Sequence, residues 1–166
     1  MTHTIEQFAQ SCHDILKAEP NPSGRSKVSK LLQEVLKDRD FVAKYIPDET
    51  PERHKLYEDK ELGFCILAHY YKGAKTSSPH DHGPYWAIYG QAAGETEMRD
   101  YKLLEAASAE KPGKCKEVRI YKLTPGIAHV YNEGDLHSPK RVDSTKLIRI
   151  EGVDMTKVKR FKFEAV

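Results

Sequence analysis

Apolar positions follow two different rhythms along this chain. Ile5, Phe8, Ala9, Cys12, Ile15 and Leu16 recur at the three-and-four spacing of one helix face. Thr4, with Gln7 three residues on, supplies a capping box ahead of them. The run Pro20-Asn21-Pro22-Ser23-Gly24 stops that helix and predicts a loop. Val28, Leu31, Leu32, Val35 and Leu36 then draw a second amphipathic helix, with Lys30, Gln33, Glu34 and Lys37 on the other side. Neither helix carries obvious chemistry, so residues 1–40 read as a helical cover for the rest of the chain.

After Pro47 the period shortens. Runs rich in Tyr, Ile, Val, Thr and Leu alternate with Gly, Pro, Asn and Asp every eight to twelve residues or so. They predict strands at 54–58, 63–71, 78–82, 86–91, 95–104, 116–123, 129–131, 136–141, 146–150 and 158–163. Turn material lies between them, including Lys72-Gly73, Gly83-Pro84, Ala93-Gly94, Lys111-Pro112-Gly113, Pro125-Gly126 and Glu133-Gly134-Asp135. Helices do not alternate with these strands, which excludes a parallel α/β sheet, and no internal repeat points to a solenoid or propeller. The expected class is mainly β, a sandwich or jelly-roll barrel over residues 50–166 with two helices packed outside.

At 166 residues the chain fits one domain, 1–166, better than two. Hydrophobic residues make up 39% and charged residues 31%, ordinary for a globular protein. A net charge of +2 is too mild to argue for a nucleic-acid partner, and no nucleic-acid motif accompanies it. Cys12, Cys65 and Cys115 are scattered without CxxC spacing, which suits neither a disulfide framework nor a thiolate zinc site. The first residues lack a signal-peptide pattern, and the longest apolar stretch, 63–68, is far short of the ~20 residues of a membrane span. A cytoplasmic protein with no membrane partner is the expectation.

The chemistry is concentrated in Pro79-His80-Asp81-His82-Gly83. On a strand, residues i and i+2 share a face, so His80 and His82 would stand side by side with Asp81 turned away. Two neutral imidazoles converging on one point suit a borderline divalent ion such as Fe, Zn, Ni, Cu or Mn. A third ligand is needed. His3 and His13 fall in the helical region, His54 in a charged segment, and His69 at the end of an apolar strand. His137 follows a Gly134-Asp135 turn that can aim a side chain into a barrel, and His129 follows Pro125-Gly126 into a more apolar stretch. His137 is the preferred third ligand, with His129 the competitor.

These residues resemble a family. Pro79-His80-Asp81-His82, the glycine-containing loop after it, a paired strand ending Gly94-Glu95-Thr96-Glu97 and a later Gly134-Asp135-Leu136-His137 are similar to the cupin superfamily, and within it to the cysteine dioxygenase type of thiol dioxygenase. The resemblance covers about residues 60–152, and the two leading helices agree with that group's layout. It implies a double-stranded β-helix binding one Fe(II) through His80, His82 and His137, with O2 and a small thiol as substrates and a sulfinic acid as product. The commoner cupin motif adds a glutamate three or four residues after the second histidine; here those positions hold Tyr85 and Trp86. The ligand set is then neutral, which favours binding an anionic thiolate.

The departures are equally specific. Animal cysteine dioxygenases carry a cysteine five residues past the second histidine and a tyrosine seventeen past the third; these positions are Ala87 and Asp154. Any phenol near the metal is therefore another. Tyr85, Tyr89 and Tyr131 are the candidates, with Tyr85 and Tyr131 assigned the catalytic role. The relatives' carboxylate-binding arginine is expected at Arg149, with Arg141 and Arg53 as alternatives, and Trp86 and His129 complete the substrate side. Asp81 is expected to fix ring orientation. Two other functions keep the fold: a C–C cleaving diketone-type dioxygenase on Fe, Zn, Ni or Mn, and a metal-binding cupin acting as a sensor or binding module without catalysis. A homodimer is expected by analogy alone.

Overall fold

Thr4 opens the first helix as the spacing predicts: its hydroxyl accepts from the Gln7 amide at 3.1 Å, and the Gln7 side chain accepts from the Thr4 amide at 3.2 Å. The structure, a computed structural model, describes residues 3–166. Helix α1 (Ile5–Ala18) is followed by α2 (Pro22–Leu36), where Asn21 caps and Pro22 takes the first turn. A third helix, α3 (Arg39–Tyr45), was not expected. Asp38 caps it by accepting from the Asp40 and Phe41 amides, and only Phe41 is buried, so seven residues present too little periodicity to reveal it.

The strands are β1 (His54–Glu58), β2 (Cys65–Tyr71), β3 (Lys75–Thr76), β4 (Ala87–Ala93), β5 (Thr96–Glu105), β6 (Gly113–Leu123), β7 (Ala128–Tyr131), β8 (Leu136–Arg141), β9 (Thr145–Glu151) and β10 (Phe163–Ala165). They form two five-stranded sheets, ordered β1-β2-β9-β4-β7 and β10-β6-β5-β8-β3. The fold is mainly β, with curled sheets that cross over as in a double-stranded β-helix. The expected strand at 158–163 is instead irregular chain between a 3-10 turn (Met155–Lys157) and the short β10, which pairs parallel to β6. The expected strand at 78–82 shrinks to a single bridge at His80, because Gly83, at φ +60°, and Pro84 turn the chain there.

Period-two alternation divides the first sheet cleanly. Ile66 and Ala68 of β2, Ile88 of β4, and Ile148 and Ile150 of β9 face the helices, in one core with Phe8, Val28, Leu32 and Phe41. The alternate positions face the second sheet. Ala87 and Tyr89 of β4 meet Met98 of β5, Leu123 of β6 and Tyr131 of β7 there. One position lets α2 come close: a Cβ on Gly90 would lie 2.7 Å from Leu32 Cδ2 and 2.8 Å from Leu36 Cδ1. The helices thus clamp the outer face of β4 and set its inner face against the second sheet.

Candidate metal centre

The inner faces of β4, β8 and β9 supply most of the site. His137, Pro139 and Arg141 share one face of β8, and Tyr89 of β4 lies in register with Arg149 of β9 and His129 of β7. His80 joins them by backbone pairing. Its amide donates to the His137 carbonyl at 3.0 Å, and the His137 amide donates back to the His80 carbonyl at 2.9 Å. This reciprocal bridge places residues 80 and 137 directly opposite each other, and His82 follows two residues later, buried.

Nitrogen atoms of His80, His82 and His137, one from each ring, all lie within 4.8 Å of one another. Their tautomers are partly dictated. The Nδ1–H of His80 donates to the Ser78 carbonyl at 2.9 Å, and the Nδ1–H of His137 to the Asp135 carbonyl at 2.8 Å. A carbonyl only accepts, so both rings carry their proton on Nδ1 and leave a bare lone pair at Nε2. Burial disfavours the charged form at each ring, pushing His80 down to about 4 and holding His82 and His137 well below the usual histidine range. All three are neutral imidazoles at neutral pH, the form that binds metal.

The set fits a divalent ion. Two nitrogens held about 2.0–2.1 Å from one metal lie roughly 3 Å apart, and Nε2 of His82 and Nε2 of His137 are 3.3 Å apart. No carboxylate joins the three imidazoles within that cluster. Glu95 pairs with Lys122 at 3.1 Å and Glu97 with Arg99 at 2.7 Å, both away from it.

Tyr89, rather than Tyr85, is the phenol that meets these rings. Its hydroxyl is 3.1 Å from His82 Nε2 and 3.2 Å from His137 Nε2, and burial raises its pKa, so it keeps its proton. Tyr85 is 36% exposed beyond the Gly83-Pro84 turn. Tyr131 stacks on the His137 ring with centroids 4.0 Å apart, but its hydroxyl is engaged with that of Tyr121 at 2.6 Å. His129 packs between the Tyr121 and Tyr131 rings, at 5.0 and 4.7 Å, and stays outside the three-histidine cluster. Trp86 faces the helices: it lines a cavity with Leu16, Arg25 and Phe64, and the Arg25 guanidinium lies 5.4 Å from its ring. Asp81 accepts from the Gly83 amide at 3.0 Å and steadies the turn, so carbonyls of Ser78 and Asp135 do the orienting assigned to it.

A cavity of about 660 Å³ opens beside His80 and is lined by Tyr71, Pro139, Arg141, Arg149 and Arg160, among others. Arg149 lies over the Tyr89 ring at 4.2 Å and donates to the Tyr71 hydroxyl at 3.3 Å. Arg53, the third arginine considered, is turned to the buried Glu151 carboxylate at 2.8 Å and to Asp154 at 3.3 Å. The pairing of Tyr89 with Arg149 was open to alternation on two neighbouring strands, but their register is invisible in one sequence.

No helix among the described residues is long and apolar enough to cross a membrane. No protein-family model matches the chain, and no curated protein matches it significantly. Solved structures do. Peruvianin-I, a cysteine peptidase from Thevetia peruviana latex, aligns over 55% of this chain and 52% of its own at 14% identity, with a TM-score of 0.41. The chain therefore spans about half the length of that protein. The Cnp3 cupin domain of Schizosaccharomyces pombe aligns over 63% and 66% at 9% identity, TM-score 0.44. KdgF from Halomonas sp. aligns over 67% and 88% at 16% identity, TM-score 0.46. The structural neighbours also include a cupin superfamily protein from Desulfitobacterium hafniense, which aligns over 68% of this chain and 88% of its own at 12% identity, TM-score 0.44.

Proposed function

We propose that this protein is a mononuclear non-heme iron dioxygenase that oxidises a small thiol to a sulfinic acid. The observation that carries the reading is the neutral three-histidine cluster, His80, His82 and His137, at the edge of a cavity walled by guanidinium groups. Three neutral ligands leave the charge of a divalent ion uncompensated, which favours a thiolate beside it. The reaction balances without another reductant. Both atoms of O2 become bonded to sulfur, which gives up four electrons, and the O2 accepts them.

A bound Fe(II) would supply the redox chemistry and hold both reactants in one place. The chain's own residues do the rest. Ser78 and Asp135 carbonyls hold two imidazole rings in the ligating tautomer. Tyr89 keeps a proton on its hydroxyl and offers it to a group bound beside His82 and His137. Arg149, its ring partner, receives the acidic end of the substrate. Tyr131, stacked on His137, fills the space behind that ring and keeps water from it.

The test is oxygen uptake by iron-loaded protein with 3-mercaptopropionate, cysteine, cysteamine and acetylacetone. Uptake with a thiol bearing a carboxylate, accompanied by the sulfinic acid in stoichiometric yield, is the predicted result. Uptake with the diketone alone, or no acceleration by any thiol over free iron, would refute it.

A further inference from the structure

The cavity beside His80 holds more positive charge than one acidic group can use. Lys75, Arg141, Arg149, Arg160 and Lys162 line it, against the single carboxylate of Glu164. Lys75 is satisfied by Glu52 at 2.6 Å, and Arg160 donates to the Asp81 carbonyl at 3.3 Å from an exposed position. Arg141 is different. It is only 2% exposed, and its Nε and Nη2 meet no hydrogen-bond acceptor among the described residues. Its guanidinium carbon lies 4.3 Å over the Tyr71 ring. The Tyr71 hydroxyl accepts from Arg149, whose own Nε is also unpartnered. One tyrosine thus stands between two guanidiniums, and of the two only Arg149 has a carboxylate within 4 Å among the described residues, Glu151 at 3.8 Å.

A cation buried without an anion is costly, and the planar fork of arginine matches a carboxylate or a phosphate in two-point fashion. Arg141 lies on the same face of β8 as His137, two inward positions further on, so its charge belongs to the same cavity as the metal ligands. An ammonium group in that cavity would meet like charge on several sides, with only the exposed Glu164 to receive it.

We infer that the two guanidiniums of Arg141 and Arg149 make this cavity a binding site for a small dianionic acid that carries no ammonium group. The inference deepens the thiol dioxygenase reading by naming its substrate class, and rests on that reading only for the word substrate. Zwitterionic amino thiols and cationic amines are then poor ligands.

Calorimetric titration with probes that have no thiol tests this apart from oxygen chemistry. Succinate, propionate, β-alanine and inorganic phosphate are each titrated at one fixed ionic strength, with and without Zn(II). Succinate or phosphate is predicted to bind at least about tenfold more tightly than propionate, and β-alanine more weakly than propionate; a factor of ten is about 1.4 kcal/mol. The tighter of the two dianions tells two separated carboxylates from one compact phosphate. Arg141→Met should bring the dianion down to the propionate level, whereas Arg160→Ala at the rim should leave the preference intact. Equal binding of dianion and propionate by the natural protein overturns the inference, whether or not the arginine variant folds. So does a preference lost in Arg160→Ala but kept in Arg141→Met. If dianions bind as predicted while no thiol supports oxygen uptake, the dioxygenase reading falls and this one stands.

Discussion

Gly90 offers the sharpest quantitative test of how the helices hold the site. A methyl added there would sit 2.7 and 2.8 Å from the ends of Leu32 and Leu36, whereas carbon atoms pack best at about 3.5–4.0 Å. Leu32 is fully buried and Leu36 is 6% exposed, so each must yield by roughly 1 Å inside a close-packed layer. Overpacking of this kind costs about 1–3 kcal/mol, of which about 0.5–1 is offset because alanine loses less chain entropy than glycine in a strand. Gly90→Ala should therefore destabilise the fold by about 1–2 kcal/mol and lower the melting temperature by roughly 2–8 °C. Leu32→Ala alone should cost about 2–5 kcal/mol by opening a cavity. The two changes fill the same space, so the double variant should be more stable than the sum of the singles by about 1 kcal/mol. Urea unfolding of the four proteins measures this. An unaffected Gly90→Ala, or strict additivity in the double variant, would refute the close approach of α2 to β4.

Two further outcomes rest on the buried charges. The folded chain holds His80 at about 4, and His82 and His137 lower still, against an ordinary histidine value near 6.5. Between those values the unfolded chain binds protons that the folded chain refuses, so stability of the metal-free protein should fall as pH drops from about 6.5 to about 4. Urea midpoints measured across that window should show the fall, with a shallower slope in His80→Asn; a flat profile in the natural protein would contradict the burial of these rings. Glu151 is 1% exposed and holds Arg53 at 2.8 Å. Removing one partner of a buried ion pair costs about 3–5 kcal/mol, and the 30% exposure of the Arg53 side chain puts Glu151→Ala near the lower end, about 3 kcal/mol. A loss below about 1 kcal/mol in thermal unfolding would show that the pair is not structural.

What could be read from residues alone tracks how local each signal is. The capping box at Thr4, the two long amphipathic helices and the mainly β remainder rest on neighbours in sequence, and the fold agrees with them. His80 and His82 were legible from their i, i+2 spacing, but what brings His137 to them is a backbone bridge spanning more than fifty residues. The Gly-Asp turn hinted at that bridge without specifying it. Tyr89 was passed over for Tyr85 because both follow the same glycine-proline turn, four residues apart in sequence. The two have the same strand parity, so alternation alone does not separate them: Tyr85 lies in the turn before β4 and stays exposed, whereas Tyr89 lies inside β4, opposite Arg149 of β9. Trp86 lies on the other side of the sheet: its neighbour Ala87 faces inward, so Trp86 faces the helices. The short α3 and the irregular chain before β10 had too few apolar positions to show a period.

Metal binding by the three histidines is the claim on which the rest depends, and metal stoichiometry measures it directly. Untagged, metal-depleted protein is loaded anaerobically with Fe(II), desalted and analysed for iron, alongside His137→Ala and His129→Ala. The arrangement of His80, His82 and His137 predicts about one equivalent in the natural protein and in His129→Ala, and a loss of most of it in His137→Ala. Less than about 0.2 equivalents in the natural protein, or full retention by His137→Ala, would contradict it.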